Sequence, residues 1–216
     1  MGDEIIKQTW WGFNNRNILA NMIQNNQKQI SRMVDKSSPS HITLRDRLRT
    51  WLIKKNRRLS TGQGVYFKEN VEISICENGK LNIGDNSFLH AHCWLLLTKP
   101  QPHLNIGNWV FVGRNTIIAA KNNITIGDYT VIAPQCYIID HEHGFSSQDL
   151  ILNQRSNIKS VTIGRDCYIG AKTVVLGGAE IGDGAIIGAG SIVTKSVPAG
   201  EIWAGNPAKF IKHRQA

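Results

Sequence analysis

A six-residue period over residues 163–198 constrains the fold of this chain more than any other feature. Each hexad opens on an aliphatic residue and carries a small residue or valine four places later, as in IGRDCY, IGAKTV and IGDGAI. The period fits neither an α-helix nor the simple alternation of one long strand. It is typical of a chain that turns a corner every six residues, so that three corners close one triangular coil. The sequence therefore predicts a parallel β-helix.

The same pattern recurs earlier in the chain, with interruptions. Thirteen hexads open on Ile, Leu or Val, and twelve of them carry Ser, Thr, Ala, Val or Cys four places on. Glycine, which often stands in the second place, is expected to let the chain bend at little steric cost. Cys93, Cys136 and Cys167 occupy the small place, so we expect reduced core residues rather than metal ligands or disulfides.

The chain divides into three predicted segments. Residues 1–60 form a basic, partly helical extension, since they carry twelve Lys or Arg against four Asp or Glu, whereas the rest carries thirteen against twelve. Residues 61–198 form the β-helix, with a loop over 140–160, and residues 199–216 form a turn and a short helix. The chain shows no run of about 18 apolar residues and no secretory signal pattern at its start, so a cytoplasmic location is expected.

The basic extension contains one well-supported helix prediction. By their spacing, four apolar residues share one helix face: Leu44, Leu48, Trp51 and Leu52. Two interpretations of the basic residues around them stay open. They form the solvated face of a helix packed across one end of the β-helix, or the helix contacts the inner face of an anionic membrane as a peripheral anchor. No nucleic acid is expected as a partner, because aromatic side chains do not interleave with the basic ones.

The repeats, a histidine-bearing loop within them and the ending IGAGSIVTKSVPAGEIWAGNPAK resemble the hexapeptide-repeat acyltransferase family, especially its sugar O-acetyltransferase branch. The resemblance covers roughly residues 70–212. It implies a left-handed β-helix, a homotrimer with active sites between neighbouring subunits, acetyl-CoA as co-substrate and no metal. The expected reaction is transfer of an acetyl group from acetyl-CoA to a hydroxyl of a saccharide, either a surface polysaccharide or its precursor, without an acyl-enzyme.

The resemblance also implies site residues. The family's base is a histidine on the loop after an Ala-Pro coil, which places His143 in that role with His141 as its rival; Asp140 or Glu142 would orient the ring. An imidazole suits this task because it titrates near neutral pH. Coenzyme A contacts are implied at six positions: Ala171, Ala189, Thr194, Lys195, Lys209 and Lys212. Acceptor contacts are expected at three: Asn115, Tyr168 and Trp109.

Three alternatives stay open at this point. The acceptor is instead the amine of an amino-sugar nucleotide, which would make the chain an N-acetyltransferase. A metal-dependent, γ-class carbonic anhydrase is built on the same β-helix and needs three histidines, for which His90, His92 and His103 are candidates, but the later pair of histidines that this class carries is absent. The third alternative is a non-catalytic trimer that acts as a scaffold.

Overall fold

The structure is a computed structural model that describes residues 42–215. The fold below belongs to one compact unit, Leu44–Ala216. The helix over Leu44–Ile53, called α1 below, is assigned by the sequence to a separate extension but is part of this unit together with the strands. The elements in chain order are α1 (Leu44–Ile53), β1 (Leu59–Thr61), β2 (Tyr66–Phe67), β3 (Glu72–Ile75), β4 (Lys80–Ile83), β5 (Phe88–Leu89), β6 (Trp94–Leu97), β7 (His103–Ile106), β8 (Phe111–Val112), β9 (Ile117–Ala120), β10 (Asn123–Ile126), β11 (Val131–Ile132), β12 (Tyr137–Ile139), β13 (His141–Glu142), a 3₁₀ turn (Ile151–Asn153), β14 (Asn157–Ile158), β15 (Val161–Ile163), β16 (Tyr168–Ile169), β17 (Val174–Val175), β18 (Glu180–Ile181), β19 (Ile186–Ile187), β20 (Ile192–Val193), β21 (Glu201–Ala204) and β22 (Lys209–His213).

Three parallel sheets form the sides of a triangular prism. The first sheet runs β1-β4-β7-β10-β15-β18, the second begins β2-β5-β8-β11-β16-β19-β21, and the third contains β3-β6-β9-β12-β17-β20. Successive triplets of strands make six complete coils, which confirms the predicted left-handed parallel β-helix, an exception to the right-handed crossover rule. We call the corner column between the first and second sheets edge I, that between the second and third edge II, and that between the third and first edge III.

The interior of the prism is a stack of the aliphatic residues that open the hexads. Ile132 is paired with Ile169, and Ile169 with Ile187, in three successive coils, and all three are buried. The small residues four places later are buried as well, and the hydroxyl of Ser191 donates a hydrogen bond to the carbonyl of Gly188 over 2.6 Å. Within residues 42–215, no buried side-chain nitrogen or oxygen lacks a hydrogen-bond partner.

The glycines in the second place of the hexads serve a purpose different from the predicted one. A Cβ atom added to Gly170 would lie 2.5 Å from the backbone nitrogen of Ala189 in the next coil. The bend itself is made two residues later, where Lys172 has a φ of 60°. The expectation that the second-place glycine provides the bend is therefore wrong, because close approach of neighbouring coils is what excludes a side chain there.

The predicted short helix at the C-terminus is also wrong. The strand β21 adds to the last coil beside β19, and β22 folds back antiparallel to β21, with Trp203 opposite Phe210 and Ala204 opposite Lys209. A turn through Gly205, whose φ is +103°, connects the two strands. The sheet edge that the last coil leaves open offers unpaired backbone groups, and pairing with them outweighs the weak local preference for a helix.

The helix α1 packs on the first coil through a mixed side rather than through its leucines. Its buried residues include Asp46 and Thr50, and the Thr50 hydroxyl accepts a hydrogen bond from the N–H of Phe67 over 3.2 Å. Asp46 is ion-paired with Lys68 at 2.8 Å, and Ile53 packs against the core. The four leucine and tryptophan residues of the helix are exposed. Among the described residues, none of the helices has the length and apolar character that a bilayer span requires.

Candidate active site

One corner of edge III is expanded into a long excursion. The chain leaves the third sheet after β12, and β13 and β14 form a short antiparallel hairpin in which His141 lies opposite Ile158. It rejoins the prism at β15, whereas a typical corner elsewhere needs only a few residues. This excursion is the predicted histidine-bearing loop, and it begins at Asp140.

Asp140 anchors the excursion to the coil before it. Its side chain is completely buried, and its two carboxylate oxygens accept hydrogen bonds from the backbone N–H groups of Lys121 (2.8 Å) and Asn122 (2.7 Å). Its own carbonyl accepts a hydrogen bond from the N–H of Lys159, where the chain returns. The carboxylate therefore occupies a fixed position that the backbone of two corners defines.

The same carboxylate orients the ring of His141. Nδ1 of His141 lies 2.9 Å from one oxygen of Asp140, and the His141 side chain is only 16% exposed. An ionised carboxylate is an acceptor only, so Nδ1 must carry the proton in this contact. The other ring nitrogen, Nε2, then has its lone pair available to take a proton from another molecule. Geometrically, Asp140 and His141 form an acid–imidazole pair suited to general base chemistry.

His143, the leading sequence prediction for the base, lies two residues further along the excursion and is exposed. Of the two candidate orienting carboxylates, Asp140 contacts His141, whereas Glu142 is an exposed residue of β13. Side chains of successive strand residues point to opposite faces, so His141 and Glu142 point apart. The structure therefore shows a contact between Asp140 and His141. The roles of His143 as the base and of Glu142 as the orienting carboxylate stay predictions.

Polar contacts that the sequence did not reveal hold the excursion in shape. The Nζ of Lys121 donates to the hydroxyl of Ser156 over 2.7 Å, and Nδ2 of Asn122 donates to that of Ser160 over 2.9 Å. Within the excursion, the Gln154 amide bridges the backbone of Ser146 through Oε1 and Nε2, each at 2.8 Å. These partners are far apart in sequence or lie in an irregular loop, so no periodic signal marks them.

An open depression of about 580 Å³ lies on the outer part of the excursion. Its lining residues belong to the two limbs of the loop: Gly144, Phe145, Ser146, Gln154, Arg155 and Asn157. Gly144 is required at its position, because an added Cβ would lie 2.8 Å from the carbonyl oxygen of Arg155. The depression is adjacent in sequence to His143 and offers a polar and aromatic surface.

The residues predicted to hold coenzyme A lie on two edges of the prism and at its C-terminal end. Ala171 and Ala189 are stacked on edge II, where the carbonyl of Ala171 accepts a hydrogen bond from the N–H of Gly190 over 2.8 Å. Thr194 and Lys195 lie on edge III, the same edge as the excursion, and both are exposed.

The two remaining lysines lie on the C-terminal hairpin. Lys209 and Lys212 belong to β22, with Lys209 exposed and Lys212 half-buried. The Nζ of Lys195 lies 5.2 Å from the ring centre of Trp203 in β21, which puts a third cation beside this hairpin. Lysines at the end of the prism give it positive charge that is suited to phosphate groups.

The three predicted acceptor contacts lie apart from one another. Trp109 lies on edge I and Asn115 on edge II, each with a positive φ typical of the corners. Tyr168 lies in β16 of the second sheet, and partial burial raises the pKa of its hydroxyl, so that it stays a neutral donor. Within a single chain the structure does not bring Trp109 and Asn115 to the edge that carries His141.

The histidines considered for a metal site are not gathered in one place. His90 and His92 flank edge II, whereas His103 begins β7 in the first sheet. Burial first and then the nearby Arg114 charge lower the pKa of His90, whose ring packs against Phe111. Across residues 42–215, no three His, Cys, Asp or Glu side chains are grouped so that they hold a metal ion.

Comparison with known proteins gives matches along most of the coils. The family description "Bacterial transferase hexapeptide (six repeats)" matches residues 160–195. A probable acetyltransferase of Mycobacterium tuberculosis, Rv3034c, is 35% identical over 71% of this chain and 49% of its own length. The putative colanic acid biosynthesis acetyltransferase WcaF of Escherichia coli is 34% identical over 51% of this chain and 59% of its own. The chain thus spans about half the length of these curated relatives.

Solved structures that match nearly the whole chain include an acetyltransferase named for a sugar. A maltose O-acetyltransferase from Clostridium difficile shares 22% identity with a TM-score of 0.55, covering 90% of this chain and 89% of its own, a likeness in fold. Among the curated relatives, the putative acetyltransferase YvoF of Bacillus subtilis is 33% identical over 53% of this chain and 71% of its own length. The repeat array, the excursion at edge III and these matches together show that the chain belongs to the hexapeptide-repeat acyltransferase family.

Proposed function

We propose that this chain is an acetyltransferase that moves an acetyl group from acetyl-CoA to a hydroxyl of a saccharide. The observation that carries the proposal is the contact between Asp140 and His141 at the start of the excursion. Family membership supplies the reaction class, and the relatives that are named for sugars or polysaccharides, such as WcaF, favour a saccharide acceptor. A surface polysaccharide or its precursor is the proposed substrate class.

In the proposed reaction, Nε2 of His141 accepts the proton of the acceptor hydroxyl as the hydroxyl oxygen attacks the thioester carbonyl. The carboxylate of Asp140 holds the ring in the required tautomer and stabilises the imidazolium that forms. The tetrahedral oxyanion then collapses, the carbon–sulfur bond breaks, and the coenzyme A sulfur takes the proton from the imidazolium. The enzyme returns to its starting state without net proton change.

The buried thiols favour direct transfer over an acyl-enzyme. Burial raises the pKa of Cys93 to about 12 and that of Cys136 to about 11, and it also raises the pKa of Cys167. A thiol attacks as its thiolate, so these three groups are poor nucleophiles at neutral pH. All four cysteines are free, which fits the proposed cytoplasmic location.

The proposed coenzyme A site combines edge II with the C-terminal end of the prism. The small side chains of Ala171 and Ala189 leave the backbone of edge II open to the pantetheine arm. The phosphates are placed near Lys195, Lys209 and Lys212, with Thr194 beside them as a hydroxyl donor. Lysine ammonium groups serve phosphate oxygens as point charges.

The proposed assembly is a homotrimer in which each site lies between two copies. Trp109 and Asn115 lie on edges I and II, whereas His141 lies on edge III. These predicted acceptor contacts therefore line the same site as His141 only when a neighbouring copy supplies them. An interface between two prisms can bring different edges together, whereas within one chain Trp109 and Asn115 lie on edges other than that of His141.

A hydroxyl acceptor is preferred to an amine on chemical grounds. An alcohol must lose its proton as it attacks, so it depends on a base such as the oriented imidazole. An amine that has lost its ammonium proton is a stronger nucleophile than an alcohol and depends less on that base. The dyad of Asp140 and His141 is therefore better explained by O-acetylation than by N-acetylation.

The direct test is coenzyme A release from acetyl-CoA with a panel of sugars and amino sugars, each product being identified by mass spectrometry. We expect His141→Ala to lower kcat about 10²- to 10⁴-fold, and His143→Ala, a matched histidine two residues away, to retain most activity. Loss of activity only in His143→Ala would move the base to that residue. Full turnover in both variants, or products acetylated only on nitrogen, would contradict the proposal.

A further inference from the structure

The helix α1 presents an apolar stripe to solvent. Four residues make up what we call the α1 stripe, and they are 53–83% exposed: Leu44, Leu48, Trp51 and Leu52. At about 100° per residue, they fall within one narrow sector of the helix surface. Most aliphatic side chains of the coils lie inside the prism, whereas these four lie together on one exposed helix face, so this contiguous stripe calls for an explanation.

The helix is held so that the α1 stripe points away from the coils. Asp46, Thr50 and Ile53 lie on the opposite side of the helix and contact the first coil through an ion pair, a hydrogen bond and apolar packing. Three kinds of contact fix the rotation of α1 about its own axis. The stripe is therefore presented rigidly and does not depend on a chance orientation of the helix.

Positive charge borders the α1 stripe on both sides and continues past the end of the helix. Arg45 and Arg47 lie next to the stripe on its two flanks, and both are exposed. Residues 45–58 carry seven Lys or Arg residues against one acidic residue, Asp46. The Nζ of Lys55 lies 3.6 Å from the centre of the Trp51 ring, which places a cation and an amphipathic aromatic side by side.

We propose that α1 is a docking surface for an anionic lipid bilayer. Apolar side chains that insert between lipids, flanked by cations that meet acidic headgroups, are the two features that such a surface requires. Trp51 has the amphipathic ring that is enriched at membrane–water interfaces. A nucleic acid would use the cations but has no need of three exposed leucines, and a second protein copy would gain nothing from the surrounding like charges.

The docking places the prism beside a membrane while the helix lies in the headgroup layer. This inference goes beyond the proposed reaction and is independent of it, because vesicle binding is measured without turnover. Docked in this way, the enzyme would meet acceptors that are themselves held at the membrane, namely saccharides linked to lipid. A soluble acceptor would gain nothing from the arrangement.

The test is flotation of the full-length chain with vesicles of phosphatidylcholine alone or of an equimolar mixture with phosphatidylglycerol. We expect binding to the anionic vesicles, little binding to the neutral ones, and release by salt. The double variant Leu48→Glu/Trp51→Glu should lose binding at least tenfold. Leu152→Glu, a leucine that is 89% exposed on the excursion, is the matched control and should bind as the original chain does.

A second pair of variants separates charge from insertion. Arg45→Gln/Arg47→Gln should weaken binding to anionic vesicles about tenfold, since each cation near such a surface contributes measurably. Lys80→Gln/Lys99→Gln removes two exposed lysines of the coils and should have no effect. Thermal melting confirms that each variant is folded.

Three results would overturn the proposal. Unchanged binding in Leu48→Glu/Trp51→Glu together with loss in the arginine variant would indicate a surface for polyanions such as nucleic acid. An absence of vesicle binding, with a change of oligomeric mass in Leu48→Glu/Trp51→Glu, would assign the stripe to contact between copies. Binding to anionic vesicles that survives both double variants would place lipid contact outside α1.

Discussion

Two buried aspartates in this chain are satisfied in opposite ways. Asp46 in α1 is ion-paired with the side chains of Arg49 and Lys68, each at 2.8 Å. Asp140 at edge III accepts hydrogen bonds from two backbone N–H groups and contacts the ring of His141. Both carboxylates are nearly inaccessible to solvent, yet one is matched by flexible cations and the other by fixed dipoles and an imidazole.

The difference explains what each carboxylate is suited to do. Two cationic side chains neutralise Asp46, and one of them, Lys68, links α1 to the first coil, which is a structural task. Backbone amides hold Asp140 in one position without neutralising it, so its charge stays available to the imidazole. In this chain, the backbone groups and the imidazole around Asp140 are the reason we propose a catalytic role for it, whereas the basic side chains around Asp46 fit a structural role.

The largest expected effect concerns catalysis. Asp140→Asn should lower kcat by about 10²- to 10⁴-fold, because an amide in that place favours the wrong imidazole tautomer and cannot stabilise the imidazolium by its charge. Asp46→Asn, its counterpart, should leave kcat within about twofold. Steady-state assays of both variants with acetyl-CoA and a productive acceptor measure the contrast. Equal losses in the two variants would remove the distinction drawn between the carboxylates.

The next effect concerns stability. Asp140→Ala removes the acceptor of two backbone N–H groups and the partner of the His141 ring, all part-buried contacts, and should lower the free energy of unfolding by about 2–4 kcal/mol. Asp46→Ala leaves Arg49 and Lys68, which are partly exposed and can be solvated, so about 1–2 kcal/mol is expected. Urea unfolding measures the free energy of unfolding of both variants. A larger decrease for Asp46→Ala than for Asp140→Ala would contradict the assignment of partners.

A smaller effect on stability is expected at the exposed face of α1, in contrast with the interior of the coils. Leu48→Ala in the exposed α1 stripe should change the free energy of unfolding by less than about 0.5 kcal/mol. Ile169→Ala in the interior of the coils should cost about 2–5 kcal/mol, because it opens a cavity in a close-packed core. Paired denaturation curves make the comparison. A decrease in the free energy of unfolding of more than about 1–2 kcal/mol for Leu48→Ala would mean that the stripe is covered within the protein.

The smallest expected effect concerns the dependence of stability on pH and involves the ring of His90. Burial and Arg114 lower the pKa of His90 below its ordinary 6.5, so the unfolded chain binds this proton more readily than the folded one. The contribution of His90 is thus fully favourable above pH 6.5, and stability is lost as pH falls from there through the folded pKa. His90→Gln should flatten this part of the stability curve, measured on either side of pH 6.5. An unchanged slope would show that His90 does not cause it.

The coils were predictable because their signal is repeated and local. Each hexad places an aliphatic residue inward and a small one in the corner, and thirteen repetitions leave little room for another fold. The C-terminal strands were missed because β22 pairs with β21, and β21 with the last coil, a non-local contact that periodicity does not report. The orientation of α1 was hidden for a similar reason, since the partner Lys68 lies beyond the helix.

The sequence predicted where the candidate site lies in the chain but not which groups contact one another there. The excursion interrupts a regular array and carries two histidines, so the sequence draws attention to residues 140–160. The partners that fix Asp140 are backbone amides of Lys121 and Asn122, and a backbone group has no residue signature. For that reason the sequence left His141 and His143 as rivals, whereas the contact of Asp140 distinguishes the first of them.

The glycines that permit neighbouring coils to touch also govern how this chain can change in length. A residue inserted within one side of the prism would displace later glycines from the points where even a methyl group, as at Gly170, does not fit. Extra residues are therefore tolerated where the chain departs from the prism, or in whole turns of roughly 18 residues that bring their own glycines. Evolution can lengthen such a protein by duplicating complete turns, and it can diversify the substrate by enlarging one corner.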